Sequence, residues 1–320
     1  MKKIFVLLFL ILSVFELPGI IKRTTAAGSP GVDKLRVTYV KLPLNVPTVL
    51  VKHFGWLEKE FQKQGVSVEW FEITSGAKQT QALAAGSIDI ASVVSSTAAI
   101  AARANGMELK IVSVFARAPR AFNVVAIDSA IKSVTDLKGK KVAGPKGSLL
   151  NQTLFAVLIK NGLRPEDVDY VNMPDSQALA ALVAGSVDAA LIAGPTVPKA
   201  ETQGARIIAN GEGLVKGLIV TAVRESFLKQ NADLVKLYLQ VQGKALAFMK
   251  ENPEQTFMIV ADETGLSVDD VRRMYPWYDF DPSINSSDMD DLADTQDFLV
   301  ESGMLANPTN IKSLVEDMTR

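Results

Sequence analysis

The chain contains no cysteine. That excludes disulfides, thiolate nucleophiles, cysteine-bound zinc, iron–sulfur clusters and a lipid-modified cysteine anchor. Histidine occurs once, at His53, so a site built from several histidines is excluded. A nucleophile–histidine–carboxylate mechanism would have to rest on that one residue. No stripe of one charge is present either. The 34 Lys and Arg residues are interspersed with 35 Asp and Glu, for a net charge of −1, which excludes the basic surface a nucleic-acid partner requires. Long apolar runs are scarce. The run from Ile4 to Phe15, broken only by Ser13, is shorter than the roughly 20 residues of a membrane-spanning helix.

That run follows Lys2 and Lys3 and leads to the small residues Thr25 and Ala27, the build of a secretory leader cleaved after Ala27. Residues 1–27 are therefore expected to be a signal peptide. The remainder is expected in a bacterial periplasm as a soluble protein and not a lipoprotein. Removal of the leader leaves 30 basic and 34 acidic residues, net −4. With 48% hydrophobic and 22% charged residues over 320 positions, the chain has room for two domains of ordinary size.

One phrase is written twice. "ALAAGSIDIASVVSS" (82–96) returns as "ALVAGSVDAALIAGP" (181–195). Each copy runs an alanine-rich helical stretch to a glycine, Gly86 or Gly185, and then enters an apolar strand with Asp89 or Asp188 near its start. The two aspartates are expected to hydrogen-bond nearby backbone or to cap a neighbouring element. Around the repeats, strand-type runs alternate with helical ones. Strands are expected at 34–40, 67–73, 87–94, 109–117, 122–128, 140–145, 168–173, 187–194, 205–211 and 217–223. One helix is expected across "PTVLVKHFGWLEKEFQKQG" (47–65), others over 75–86, 95–106, 149–161, 176–184 and 196–204. Beyond Arg224 the chain reads as helical over 231–250, 252–264, 267–275 and 287–302. Such alternation implies mostly parallel sheets flanked by helices. The repeat implies two α/β lobes of similar build.

Function is sought where strands end, because ligands in open α/β sheets lie beyond the strand carboxyl ends, against the amino ends of helices. Those helix starts carry unpaired N–H groups and partial positive charge, which suit anions. The corners here are Ser75-Gly76, Ser95-Ser96-Thr97, Gly147-Ser148 and Asp175-Ser176. Drawn from both lobes, they would line a shared cleft able to hold an oxyanion without a metal.

"FGWLEKEFQKQGVSVEW" with "SGAKQTQALAAGSIDIA", and "IKSVTDLKGKKVAGPKGSLLNQTLFAVLIKNGL" with "LAALVAGSVDAALIAGP" and "GARIIANGEGL", resemble the periplasmic solute-binding proteins of ABC importers for aliphatic sulfonates, taurine and nitrate. That group includes binders of thiamine-pyrimidine precursors, and the resemblance runs from about Lys34 to Met304. It implies a type II-like two-lobed clamp hinged by two strand crossings. Lobe one would be 32–117 plus 221–320, and lobe two 122–216. It implies a small, anionic, sulfonate-like solute and an inner-membrane permease as partners, a monomer, and no cofactor, metal or catalytic residue. Residue by residue, it carries ligand binding to Lys41, Leu42 and Asn45, to Ser75, Gly76 and Ala77, and to Ser95, Ser96 and Thr97. In the second lobe it carries binding to Gly147, Ser148, Asn151, Asp175, Gly194 and Thr196.

Two positions depart from the family pattern. Sulfonate binders carry Trp-Asp-Pro where this chain has Ala193-Gly194-Pro195, and often a Gly-Glu-x-Pro turn where it has Ser95-Ser96-Thr97-Ala98. Loss of a wall and of a carboxylate that would pair a ligand amine disfavours taurine. A non-sulfonate solute such as a pyrimidine precursor is the alternative. A pyrimidine-forming enzyme of this fold resembles the chain less, since it needs a cysteine-rich motif.

Four other features have plain readings. His53 is expected as a surface residue near Trp56. Arg117 and Arg120 flank Pro119 at the first crossing, where they would be solvated or would reach a cleft anion. "MYPWYDF" (274–280) is expected to pack the C-terminal helices onto lobe one through Trp277 and Phe280. The aspartates of "DMDDLADTQD" (288–297) lack calcium-loop spacing and read as a solvated helix face.

Overall fold

The computed structural model describes residues 31–319, so the expected leader 1–27 lies outside the described residues. The described chain opens with β1 (Lys34–Thr38), α1 (Val46–His53), α2 (Trp56–Gln62), β2 (Ser67–Phe71), α3 (Gly76–Ala84), β3 (Ile90–Ser95), α4 (Ser96–Ala104) and β4 (Leu109–Arg117). It then crosses to β5 (Phe122–Ala126), β6 (Lys141–Gly144), α5 (Leu149–Lys160), β7 (Asp169–Asn172), α6 (Asp175–Val183), β8 (Ala189–Ala193), α7 (Thr196–Glu201) and β9 (Arg206–Asn210). A second crossing leads to β10 (Leu218–Arg224) and α8 (Glu225–Gln230). The chain continues through α9 (Ala232–Glu251), α10 (Pro253–Thr264), α11 (Val268–Met274), α12 (Ser286–Glu301) and α13 (Ile311–Leu314).

These strands form two five-stranded sheets, β2-β1-β3-β10-β4 and β7-β6-β8-β5-β9. In the first, β1 pairs parallel with β2 and β3, while β10 runs antiparallel between β3 and β4. In the second, β6 pairs parallel with β7 and β8, and β5 runs antiparallel between β8 and β9. The two sheets share one plan. Each takes its antiparallel strand directly after a crossing, which is how the two lobes are laced together. The two-lobed α/β architecture implied by the alternation is the one observed, with mixed sheets in each of which two of the four pairings are antiparallel.

The repeated phrase has the same geometry in both lobes. Gly86 and Gly185 each adopt φ +69°, the left-handed conformation that ends a helix without a Cβ clash. Asp89 N–H donates to Arg36 O at 2.8 Å, and its Oδ2 accepts from Arg36 N at 3.0 Å. Asp188 repeats both contacts on Lys141, at 2.9 and 2.8 Å. Asp89 is 1% exposed and also receives the guanidinium groups of Arg36 and Arg224, so it ties β1, β3 and β10 together.

Two expectations are corrected. The single helix over 47–65 is broken, because Gly55 takes φ +61° and separates α1 from α2. The aspartates of α12 are not all solvated: Asp288 is 0% and Asp291 8% exposed. They lie on the same face as buried Leu292, Thr295 and Leu299, and that face turns inward. The aromatic cluster packs as expected, with Trp277 and Phe280 buried and Phe280 meeting Phe115 edge-on at 6.1 Å.

Candidate functional site

A cavity of about 190 Å³ lies between the lobes, lined by Val40, Leu42, Pro43, Thr74, Gly76, Val93, Ser95, Phe122, Ser148, Leu149, Leu150 and Ile219. Three helix starts meet there. Ser95 caps α4 by accepting from Ala98 N at 3.3 Å, and its hydroxyl lies 2.9 Å from Thr97 Oγ1. Gly76 opens α3, and a Cβ on it would stand 3.0 Å from Ala98 Cβ, so the starts of α3 and α4 are in contact. From the facing lobe, Ser148 caps α5 by accepting from Asn151 N at 3.3 Å and donating to Pro145 O at 2.6 Å.

The first amides of each helix have no acceptor within their own helix and carry partial positive charge. No Lys, Arg, Asp, Glu or His lines the cavity. Its remaining walls are apolar: Val40, Leu42, Pro43, Val93, Phe122, Leu149, Leu150 and Ile219. The arrangement therefore offers dipolar N–H groups to one end of a solute and hydrocarbon to the other.

Of the residues singled out in the sequence, Leu42, Gly76, Ser95 and Ser148 line the cavity. The others stand around it. Asn45 is buried behind the first loop and donates to Val40 O and Leu42 O, both at 3.0 Å. Lys41 is turned outward, its Nζ 3.2 Å from Glu263 O. Ser75 caps α3 through Lys78 N at 3.5 Å, next to exposed Ala77. Ser96 and Thr97 are buried in the first turn of α4. Asn151 Oδ1 accepts from Gly147 N at 3.2 Å and so shapes the turn before α5. Asp175 bends back onto Ser176 N at 2.8 Å, away from the lining. Thr196 opens α7 beside Gly194.

Gly194 bears on the cavity through its neighbour across the cleft. A Cβ on it would lie 2.3 Å from Pro43 Cβ and 3.0 Å from Pro43 O, so the second lobe rests directly on the first pocket loop. Gly147 makes a matching contact on the other flank, where a Cβ would meet Met304 Sδ at 2.6 Å.

Arg117 does not reach a cleft anion. Its five guanidinium donors are all spent, on Asp288 (2.8 and 2.6 Å), Asp279 (3.2 Å), Asp281 O (3.0 Å) and Ser283 O (2.8 Å). Arg120 lies 4.0 Å from Glu212. His53 lies 3.2 Å from Glu263 Oε1, outside the cavity. Among the described residues no group of His, Asp or Glu could hold a metal ion, and no helix is long and apolar enough to cross a membrane.

Of the apolar walls, sequence reasoning found Leu42 and missed the rest. Val40 and Val93 were recoverable as strand-end residues. Phe122 and Ile219 were not, since they flank the crossings and become walls only when the lobes face each other. A larger cavity, about 410 Å³, lies behind the first sheet, between β4 and α9, and touches none of these helix starts.

Residues 52–256 match the family described as NMT1/THI5 like. A relative from Escherichia coli (strain K12), provisionally named an aliphatic sulfonates-binding protein, is 33% identical over 244 residues, 75% of this chain and 74% of its own length. One from Bacillus subtilis (strain 168), with the same provisional name, is 32% identical over 219 residues. That match covers 68% of this chain and 66% of the relative. Among solved structures, the alkanesulfonate-binding protein SsuA from Xanthomonas axonopodis pv. citri bound to MOPS superposes with a TM-score of 0.81 at 26% identity. It covers 91% of this chain and 100% of that one. By the family match and by the agreement of its two-lobed fold, the chain belongs to the NMT1/THI5-like family.

Proposed function

We propose that this protein is the periplasmic solute-binding component of an ABC importer, closing its two lobes on a small organic anion of the aliphatic sulfonate class and presenting it to a permease. One observation carries the reading: three helix starts, two from one lobe and one from the other, meet at an uncharged cavity with apolar walls. A sulfonate head suits that meeting point, because N–H groups can surround an oxyanion that needs no counter-cation. An alkyl tail suits the walls at about 0.8 kcal/mol for each methylene buried.

In this reading Gly76, Ser95 and Ser148, with the amides that follow them, hold the head, and Leu42, Phe122 and Ile219 hold the tail. Lobe one (32–117 and 221–320) and lobe two (122–216) close by bending at the crossings, and residues 1–27 direct export. The named sulfonate binders among the relatives support the solute class.

Calorimetric titration of residues 28–320 tests it. Propane- to hexanesulfonate should bind, and taurine should bind at least about tenfold more weakly, because no carboxylate lines the cavity to receive its ammonium. Binding of no sulfonate at all would sink the substrate class, and binding of taurine in preference would overturn the uncharged apolar tail.

A further inference from the structure

The two crossings run side by side. Ala118 N donates to Lys216 O at 2.9 Å and Gly211 N to Pro119 O at 3.0 Å. Gly217, at φ +60°, has the Ala118 backbone 2.9 Å from the place of a Cβ, so only glycine lets the crossings approach this closely. A cation stands where each crossing meets lobe one: Arg117 is the last residue of β4, and Lys216, where the bounds of lobe two end, comes two residues before the lobe-one strand β10. Both turn to one carboxylate.

Asp288, in the first turn of α12, is wholly buried. Its Oδ1 accepts from Arg117 Nε at 2.8 Å and Lys216 Nζ at 2.7 Å. Its Oδ2 accepts from Arg117 Nη2 at 2.6 Å and Asn285 N at 2.9 Å. Nearby, Asp291 Oδ1 accepts from the backbone N–H of Lys216 at 2.8 Å. Helix α12 packs chiefly on lobe one, where its Leu292 and Leu299 are buried in the same apolar cluster as Ile100 and Val220. It also touches lobe two at α5, through Gln152 Nε2 donating to Thr295 Oγ1 at 2.9 Å and Phe155 meeting Phe298 edge-on at 5.3 Å.

We propose that Asp288 is the fixed end of the hinge: it clamps the lobe-one ends of both crossings to α12 and confines bending to residues 118–122 and 211–215. The inference rests on reading the chain as a clamp that opens and closes. Charge-assisted hydrogen bonds to a buried group are strong and directional, so Arg117 and Lys216 move with lobe one. Beyond them the crossings carry no comparable tie to α12. With the clamp released, the flexible length grows at the lobe-one end and the range of interlobe angles widens. The arrangement that seats Pro43 against Gly194 then becomes a smaller share of the population, and apparent affinity falls by that share.

The absence of native cysteine allows a direct test on residues 28–320. Spin labels at Gln62→Cys and Lys160→Cys, both exposed and on opposite lobes, report the interlobe distance distribution by pulsed electron resonance without any solute. Lys216→Met should widen that distribution about twofold at a nearly unchanged thermal midpoint, and Lys216→Arg should restore the native width. Asp288→Asn should widen it further; if that variant does not fold, the lysine pair decides. A folded Lys216→Met protein with the native width overturns the inference. No solute enters the measurement, so failure of every sulfonate to bind would count against the substrate reading alone.

Discussion

Asp89 and Asp188, ninety-nine residues apart, make the same two backbone hydrogen bonds to the first parallel strand of their respective sheets, to Arg36 and to Lys141. Their surroundings differ. Asp89 is 1% exposed and paired with two arginines, whereas the Asp188 side chain is 36% exposed with Lys140 at 4.0 Å. One motif thus serves as a sheet clamp twice, and only one copy is electrostatically committed.

The two positions should respond unequally to substitution. Asp89→Ala leaves Arg36 and Arg224 without their partner and should cost about 3–5 kcal/mol. Asp188→Ala removes a half-exposed clamp and should cost about 1 kcal/mol. Urea unfolding of both variants checks this, and equal losses would show that the buried pairing adds nothing.

Gly194 is where the lobes touch across the cleft. Gly194→Ala would put a methyl group 2.3 Å from Pro43 Cβ at a φ of +51°. In the proposed clamp, opening the lobes would relieve the clash and closing them would not. Sulfonate affinity should fall by more than about tenfold, while the ligand-free protein loses only the roughly 1 kcal/mol of a non-glycine residue in left-handed conformation. Calorimetry paired with thermal unfolding separates the two effects.

Phe122 forms part of the apolar wall and is 7% exposed. Phe122→Leu shortens that wall and should move the preferred alkanesulfonate to a longer chain. The gain should be about fourfold for each additional methylene accommodated, the equivalent of about 0.8 kcal/mol. An unchanged chain-length profile would remove Phe122 from the solute's surroundings.

Acid should act on the hinge carboxylate. Burial alone would raise the pKa of Asp288, but hydrogen bonds from Arg117, Asn285 and Lys216 hold it at about 2, below the ordinary 3.8. Its contribution is therefore present above 3.8 and is lost as pH falls through about 2. A shift of this size corresponds to about 2–3 kcal/mol at most. Asp291, raised by burial, acts in the opposite sense, with its effect complete once pH has fallen to the ordinary value. Unfolding free energy measured from pH 5 down to 2 should fall less in Asp288→Asn than in the native protein across the lower part of that range.

The elements and the candidate site were readable to different depths. Strand β4 follows directly from "LKIVSVFAR", because β-branched Ile111, Val112 and Val114 and aromatic Phe115 fill its centre. The break at Gly55 was hidden, since the apolar spacing of Val49, Leu57 and Phe61 continues across it and only the backbone conformation interrupts the helix. The capping roles of Ser95 and Ser148 are local, set by a hydroxyl and an amide three residues on, and so were visible in sequence. Burial of Asp288 was not: its partners Arg117 and Lys216 lie 171 and 72 positions away. The inward face it shares with Leu292 and Leu299 was a periodicity available to be read.

By itself the sequence determined the alternation of strand and helix, the doubled lobe, the glycine and aspartate clamp in each copy, and the small hydroxyl residues at the strand ends. These are near-neighbour choices, governed by backbone conformation, periodicity and capping. The tertiary structure alone decided which corners meet at the cavity, that Arg117 has no donor left for a solute, that Pro43 rests on Gly194, and that Phe122 and Ile219 become walls. Each of those depends on how two sheets joined by two crossings face one another, and such long-range placement comes from the packing of whole lobes and leaves no local mark in the chain.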